Sequence, residues 1–213
     1  MEGPSLVILK EEFRPVVGKT VLGAAGNSKQ IRVEELPGRK LLEVHTWGKH
    51  LLLRFGRGLT LKIHFLMFGS YTMDLKKPGR DPRLTLRFPG HAIHFYSCSV
   101  RELEGDPREV YDYATDPMSP EWDELRAVRA VRGRPGEMVC DVLLDQEIFS
   151  GVGNIIKNEV LYRLGILPLT RVGELTLGEL RALVRETRRY CFEFYEWKKR
   201  FVLRKNWKIY RQK

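Results

Sequence analysis

The stretch whose residue types most clearly suggest ligand binding is a glycine-containing turn, Phe149-Ser150-Gly151-Val152-Gly153-Asn154. Glycine lets a backbone approach a ligand closely or take a positive φ angle. Asn154 is a good N-cap residue, so a helix is predicted to begin there. The free amides and the positive dipole end of a helix start bind phosphate. The turn therefore predicts a phosphate site, although an ordinary helical hairpin whose glycines only make the bend explains this stretch alone better.

Apolar residues on both sides of the turn define the two short helices that position it. Helical spacing occurs before the turn at Leu143, Leu144 and Ile148, and after it at Ile155, Ile156, Val160, Leu161 and Leu164. Gly165 is predicted to end the second helix, and Pro168 prevents its resumption. We therefore expect a helix–turn–helix unit at about residues 141–165.

The charge of the chain indicates a polyanionic partner. Its 37 Lys and Arg residues outnumber 27 Asp and Glu residues, which gives a formal charge of +10. Nucleic acid is favoured over a membrane, because neither a long apolar span nor a basic amphipathic anchor accompanies this charge. The N-terminus also lacks the basic region and apolar core of a signal peptide. The three cysteines, Cys98, Cys140 and Cys191, are scattered singly, so neither a zinc site nor a disulfide framework is indicated. This cysteine usage predicts a cytoplasmic protein.

The first half of the chain has the pattern of a β-domain. An amphipathic helix is predicted from Leu6 to Val16. Six short β-type runs follow, at residues 40–47, 50–55, 59–64, 70–74, 83–88 and 91–96. Turn residues separate the runs, and several of them alternate apolar with polar residues. Closely spaced strands of this kind form an antiparallel sandwich or barrel.

The second half of the chain has the pattern of a helical domain. A proline-containing stretch, Glu104 to Pro120, is the predicted connection between the domains. A helix is predicted from Glu121 to Val131, with Leu125 and Val128 on its apolar face. Another is predicted to begin at Thr176 with a capping box and to reach Phe194 or beyond. The predicted fold is α+β, with a β-sandwich domain at residues 1–116 and a helical domain at residues 117–213.

The tail Trp197 to Lys213 interleaves aromatic residues with cations. That mixture is typical of a nucleic-acid-binding face, and a solvated basic helix end is an equally good interpretation of the composition.

Two motifs resemble one known family. The segment DQEIFSGVGNIIKNEVLYR, Asp145 to Arg163, resembles the helix–two-turn–helix of the formamidopyrimidine-DNA glycosylase and endonuclease VIII family, which removes damaged bases from DNA. Glu2-Gly3-Pro4 matches the start of the same family. The resemblance implies that Asn154 and nearby main-chain groups, including Gly151 and Gly153, hold DNA phosphates. The segment around Tyr96 to Ser99 lacks the Arg-Phe wedge of the formamidopyrimidine branch, which favours the endonuclease VIII branch.

The resemblance also implies a nucleophile at the chain start. In the family an N-terminal proline attacks the sugar C1′, and the glutamate after it serves as acid or base. Here Met1 precedes Glu2 in place of that proline. An α-amine has a pKa of roughly 7.7 to 8.0, so Met1 offers a neutral fraction near pH 7 that can form an imine with an abasic site. We expect weakened lyase activity and a larger loss of base excision, because methionine lacks the fixed shape of the pyrrolidine ring.

Further expectations concern two turns of the β-domain. Trp47-Gly48-Lys49-His50 matches the family's Gly-Lys hairpin, which implies a catalytic and phosphate-binding role for Lys49. The resemblance assigns His64 to a phosphate, and Leu66, Met67 and Phe68 to a wedge that fills the gap left by a flipped base. Without the resemblance, Lys49 is a solvated turn tip, and Phe65 and Met67 are core residues on alternating faces.

The expected function is that of a monomeric base-excision-repair glycosylase and abasic-site lyase, acting on oxidised bases in double-stranded DNA. No cofactor is expected, because the sequence ends before the family's four-cysteine zinc finger, and activity is expected to be reduced by the absence of the finger and the proline. A non-catalytic binding protein for damaged or abasic DNA is the alternative. An RNA-binding module is a more distant one.

Overall fold

The structure is a computed structural model that describes residues 1–209. The last four residues of the basic tail, Tyr210 to Lys213, lie outside this range. The chain divides into two compact units. The first comprises Met1 and Leu9–Val110, and the second comprises Glu2–Ile8 and the residues from Tyr111 onward. The sequence-based boundary between residues 116 and 117 stays a prediction.

The first unit contains two four-stranded antiparallel sheets, with strand orders β1-β6-β7-β5 and β2-β3-β4-β8. The strands are β1 Gly23–Gly26, β2 Leu41–Trp47, β3 His50–Phe55, β4 Thr60–His64, β5 Ser70–Met73, β6 Leu84–Phe88, β7 His91–Tyr96 and β8 Ser99–Glu102. All six predicted runs are confirmed as strands. The edge strands β1 and β8 are not among the predicted runs, because Gly-Ala-Ala-Gly has low β-propensity and Ser99–Glu102 has a single apolar residue.

The core of the first unit depends on strands that are interior to their sheets. β3 lies between β2 and β4, and its Leu51, Leu52 and Leu53 are all fully buried. Three consecutive buried leucines show that both faces of this strand are covered. Just after β4, Phe65 is also buried, which confirms its interpretation as a core residue. The same interpretation is wrong for Met67, which is 83% exposed, because the chain leaves the sheet in a loop after Phe65.

The helices are α1 Gly3–Glu12, α2 Pro107–Val110, α3 Glu124–Arg132, α4 Val139–Val142, α5 Asn154–Leu164, α6 Leu177–Lys199 and α7 Leu203–Asn206. The predicted capping box of α6 is confirmed, since Thr176 accepts from Glu179 N–H and the Glu179 side chain accepts from Thr176 N–H. Gly165 ends α5 with a φ of 65°. None of the helices among residues 1–209 is long and apolar enough to cross a membrane.

The structure corrects two predictions for the second unit. The helix predicted before the glycine turn is shorter, and Leu143 to Ile148 form turns in which the Asp145 carboxylate accepts from Glu147 N–H and competes with helical pairing. Leu125 is 63% exposed, because Ala127, Val128 and Val131 form the buried stripe of α3. At about 100° per residue, Leu125 lies about 120° round the helix from Val131.

Candidate active site

In the second unit, Glu2 caps the start of α5 from the other end of the sequence. Its Oε1 accepts the Ile155 N–H at 2.8 Å, and its Oε2 accepts the Ile156 N–H at 3.2 Å. Gly153 is the N-cap residue and supplies no side chain. A carboxylate at this position satisfies two unpaired amides and lies at the positive end of the helix dipole. These contacts fix the side chain to which the family resemblance assigns the role of acid or base.

Asn154 does not cap the helix as predicted. It is the first residue of α5, and its Oδ1 accepts from Lys157 Nζ at 3.0 Å. The prediction of a side-chain cap by Asn154 is wrong because Glu2 performs that function. Asn154 is exposed, so its amide group is accessible to a ligand.

The glycine turn is fitted to Glu2 and to neighbouring backbone. Residues 150–153 are buried. Gly151 has a φ of 92°, donates its N–H to Gln146 Oε1 at 3.0 Å and accepts the Gly3 N–H at 2.9 Å. A Cβ on Gly153 would lie 2.6 Å from the Glu2 carboxyl carbon. The glycines thus allow other residues of the same chain to approach the turn closely. The amides of Ile155, Ile156 and Gly151 already donate hydrogen bonds within the protein. The expectation that this helix start offers unpaired amides to phosphate is therefore wrong for these three groups.

In the first unit, the amine of Met1 lies beside the loop that follows β4. Its nitrogen is 3.4 Å from the Leu66 carbonyl oxygen. The Leu66 N–H in turn donates to His64 Nδ1 at 3.2 Å. An Nδ1 that accepts a hydrogen bond places the proton of a neutral imidazole on Nε2. Met1 and His64, which are 63 residues apart in sequence, are thus brought together around the backbone of Leu66.

The surroundings of His64 disfavour its protonated form. Burial lowers the pKa of His64, and the positive charges of the Met1 amine, Lys49 and Lys62 lower it further. Three cations near one imidazole make this part of the unit attractive to phosphate. A phosphate would offset their effect and favour the imidazolium.

His50 is a residue of this cluster that sequence reasoning missed. It pairs with His64 across β3 and β4, and the two rings meet edge to face at 5.4 Å. Burial lowers the pKa of His50 to about 4, with contributions from His64, Lys62 and Lys49. The available signal was its position directly after the Gly48-Lys49 turn, which places it on the strand neighbouring His64.

Lys49 lies in a two-residue turn between β2 and β3, whose flanking residues Trp47 and His50 are paired. Gly48 takes a φ of 52°, as tight hairpins require. The Lys49 side chain is half-buried, which differs from the solvated tip expected of an isolated lysine. Because the turn is short and its two strands are paired, the position of the Lys49 backbone is fixed.

The predicted wedge residues are exposed on a short loop. The exposed fractions are 54% for Leu66, 83% for Met67 and 79% for Phe68. Buried Phe65 anchors the loop, and the Gly69 N–H closes it by donating to the Phe65 carbonyl at 2.7 Å. A Cβ on Gly69 would overlap that carbonyl. Three adjacent apolar side chains in water on a closed loop are typical of an interaction site.

Within residues 1–209, no group of three or more His, Cys, Asp or Glu residues is arranged to hold a metal ion.

Comparisons with known proteins agree with this arrangement. The family model described as the formamidopyrimidine-DNA glycosylase N-terminal domain matches residues 2–101. The model described as the formamidopyrimidine-DNA glycosylase H2TH domain matches residues 114–193. A β-sandwich followed by a helix–two-turn–helix domain defines the class of protein.

Relatives define the family. Endonuclease 8-like 3 of Bos taurus is 34% identical over 194 residues, which cover 87% of this chain and 32% of the relative. Formamidopyrimidine-DNA glycosylase of Roseiflexus sp. (strain RS-1) is 30% identical over 194 residues, covering 78% of this chain and 69% of the relative. The crystal structure of the MutM (Fpg) protein from Thermus thermophilus has a TM-score of 0.80 at 26% identity, covering 92% of this chain and 76% of that one. The chain therefore belongs to the formamidopyrimidine-DNA glycosylase family, and the predicted α+β fold is confirmed. It spans about a third of the length of the endonuclease 8-like 3 relatives.

Proposed function

We propose that this chain is a base-excision-repair DNA glycosylase with abasic-site lyase activity, acting on oxidised bases in double-stranded DNA. The observation that carries the proposal is Glu2, fixed by the Ile155 and Ile156 amides directly after the residue that bears the amine. Membership of a family of glycosylases supports the reaction class.

The proposed lyase reaction uses the Met1 amine as nucleophile. The neutral nitrogen attacks the C1′ aldehyde of an abasic site, and loss of water gives an imine. A proton then leaves C2′, the C3′–O bond breaks and the 3′ phosphate departs. Hydrolysis of the imine regenerates the amine. Glu2 accepts and returns the protons of these steps, since it is the fixed carboxylate next to the nucleophile.

Binding is proposed to use groups of both units. Lys49 and His64 in the first unit and Asn154 in the second hold DNA phosphates, while Gly151 and Gly153 shape the backbone beside Asn154. Leu66, Met67 and Phe68 fill the gap left by the flipped nucleotide. We propose a cytoplasmic monomer that needs no cofactor for this chemistry, because an amine and a carboxylate supply every proton and electron pair.

Borohydride trapping tests the reaction. The chain is incubated with duplex DNA that contains one abasic site, and borohydride reduces any imine to a stable amine. We expect a covalent adduct that disappears in a variant extended by Gly-Ser before Met1, because the extension moves the primary amine. Intact mass measurement of both proteins verifies the N-terminal residue. An adduct of equal yield in the extended variant would exclude Met1 as the nucleophile.

The second candidate function is a non-catalytic binder of damaged or abasic DNA. It is favoured by one observation, that both Glu2 carboxylate oxygens already accept helix amides, which is also what a purely structural cap would do. In the same assay this function predicts DNA that is retarded in a gel, uncut and untrapped.

A further inference from the structure

The helix α6 ends on an aromatic residue in an unusual conformation. Phe201 has a φ of 57°. The Val202 N–H donates to the Trp197 carbonyl at 2.9 Å, and the Phe201 N–H donates to the Lys198 carbonyl at 3.1 Å. These bonds form a Schellman motif, in which glycine normally occupies the left-handed position. A side chain there is strained, and this one is also 95% exposed.

Several contacts hold the backbone that follows Phe201 in place. Leu203 packs against the core of the second unit, and Asn206 Nδ2 donates to the Val202 carbonyl at 3.0 Å. The backbone amides of Lys208 and Ile209 each donate to Glu159 at 2.9 Å. Glu159 is a fully buried carboxylate in α5.

Exposed cations surround Phe201 in the sequence. They are Arg200, Arg204, Lys205 and Lys208, which together with Phe201 we call the Phe201 segment. Arg200 lies 3.4 Å from Glu196 on the surface, a pairing that contributes little in water. A cationic surface of this kind attracts a polyanion.

The nature of the apolar group selects nucleic acid over a membrane. Val202 and Leu203, which follow Phe201, are half-buried, so within residues 200–206 Phe201 is the one exposed apolar side chain and no apolar stripe forms. A membrane surface requires such a stripe. A single aromatic ring between cations matches a nucleotide, whose base stacks on the ring while its phosphates meet the cations. In a duplex the faces of the bases are covered by their neighbours, so the base must be unpaired.

We propose that the Phe201 segment binds an unpaired stretch of nucleic acid by stacking a base on Phe201. This interaction goes beyond the proposed repair reaction, because it requires neither a damaged base nor Met1 or Glu2.

The test compares Phe201→Gly with the unaltered chain for binding of an undamaged ten-nucleotide oligothymidylate, followed by fluorescence anisotropy. We expect affinity to fall by roughly five- to tenfold, the lower end of the range for one lost base–aromatic stack. We also expect the melting temperature to rise, since glycine relieves the positive φ. Phe201→Trp retains binding. The matched control is Phe192→Ala, which removes an exposed aromatic side chain of α6. The Arg188 guanidinium lies over the Phe192 ring, 5.7 Å from its centroid. We expect this variant to bind oligothymidylate as the unaltered chain does.

Equal oligothymidylate binding by the unaltered chain and Phe201→Gly would overturn the proposal. So would an equal loss in Phe192→Ala, which would show that the effect is not specific to Phe201. Phe201-dependent binding to phosphatidylserine vesicles without Phe201-dependent binding to the oligonucleotide would assign the surface to a membrane. Borohydride trapping on duplex DNA is measured in parallel. If trapping fails while oligothymidylate binding depends on Phe201, the repair function is wrong and this inference stands.

Discussion

Two glycine-containing segments of this protein have opposite structures. The loop Phe65–Gly69 in the first unit exposes three apolar side chains, whereas the turn Ser150–Gly153 in the second unit is buried. Gly69 makes room for a backbone carbonyl, and Gly153 makes room for a carboxylate. In the first unit, glycine thus closes a loop whose apolar side chains lie in solvent. In the second unit, glycine allows a carboxylate to lie against the start of a helix.

The two segments also differ in electrostatics. Near the loop, burial lowers the pKa of His64, and the positive charges of the Met1 amine, Lys49 and Lys62 lower it further. At the turn, a single carboxylate interacts with helix amides. Under the proposed function, attraction of phosphate depends mainly on the first unit and proton transfer on the second. Substitutions in each segment separate these contributions.

The largest effect is expected for Glu2→Gln. Glutamine keeps one oxygen for an α5 amide but presents an NH₂ group to the other, and it cannot accept a proton from the reacting sugar. We expect the rate of imine trapping to fall by about 10²- to 10⁴-fold. Single-turnover borohydride trapping measures this rate. Glu147→Gln, at an exposed carboxylate of the same unit, serves as the control. Trapping by Glu2→Gln at the normal rate would make Glu2 a structural cap only.

Gly153→Ala tests the fit of the turn to Glu2. The new Cβ would lie 2.6 Å from the Glu2 carboxyl carbon, so the carboxylate must shift. A displacement of this size is expected to slow trapping by up to ~100-fold. Gly136→Ala is the matched control, because no atom lies within 4 Å of its added Cβ. If both variants trap equally fast, the close contact has no role in the reaction.

Phe68→Ala and Phe65→Ala separate binding from stability within one loop. Phe68 is exposed, so its removal should change the free energy of unfolding by less than ~0.5 kcal/mol while weakening abasic-DNA binding about tenfold, or ~1.4 kcal/mol. Phe65 is buried, and its removal should cost about 3–5 kcal/mol of stability. Urea unfolding and fluorescence anisotropy measure the two quantities. Unchanged affinity in Phe68→Ala would remove it from the wedge.

Abasic-DNA affinity should increase as the pH falls from 7.5 to 6. The pKa of His64 is lowered in the unbound protein and a bound phosphate raises it, so binding takes up a proton and strengthens as the pH falls. We expect an increase of a few-fold, below the tenfold per pH unit of one full proton. The increase should persist in His91→Asn and be lost in His64→Asn. Equal pH profiles for the unaltered chain and His64→Asn would exclude His64 from the phosphate site.

A smaller effect on stability is expected at His50. Its pKa is lowered to about 4, so between pH 6.5 and 4 the unfolded chain binds a proton there that the folded chain does not. The stabilisation is complete above pH 6.5 and is lost as the pH falls toward 4. When the pH is lowered from 6.5 to 4, the free energy of unfolding should therefore fall by about 1 kcal/mol less in His50→Phe than in the unaltered chain. This figure is discounted for the partial exposure of His50. Urea unfolding at both pH values measures it, and identical losses would contradict the assigned pKa.

Much of the fold could be predicted from the sequence because its signals are local. Alternating apolar residues predict six of the strands, and Thr176 with Glu179 predicts the start of α6. Gly165 predicts the end of α5. The edge strand β1 could not be predicted, because its own residues have little β-propensity. Its strand structure depends on pairing with β6.

The candidate site could be predicted only in part. The family motifs identify Glu2, Lys49, His64 and Asn154, but the sequence assigns the α5 cap to Asn154. The capping group is Glu2, 153 residues away from Ile155. The Gly48-Lys49 turn places His50 on the strand that neighbours His64, but only the register of the two strands brings the two rings into contact. The hydrogen bonds from the Lys208 and Ile209 amides to Glu159 could not be predicted from local patterns either, because about 50 residues separate the partners.

The sequence alone determined the order of the β and helical halves, the cationic character of the chain and its family, because periodicity, composition and short motifs are properties of neighbouring residues. The tertiary structure alone decided which amides of α5 are paired, which loop residues remain in water and which charges act on His64. Those outcomes depend on contacts between residues far apart in the chain, and such contacts form only when the backbone has folded.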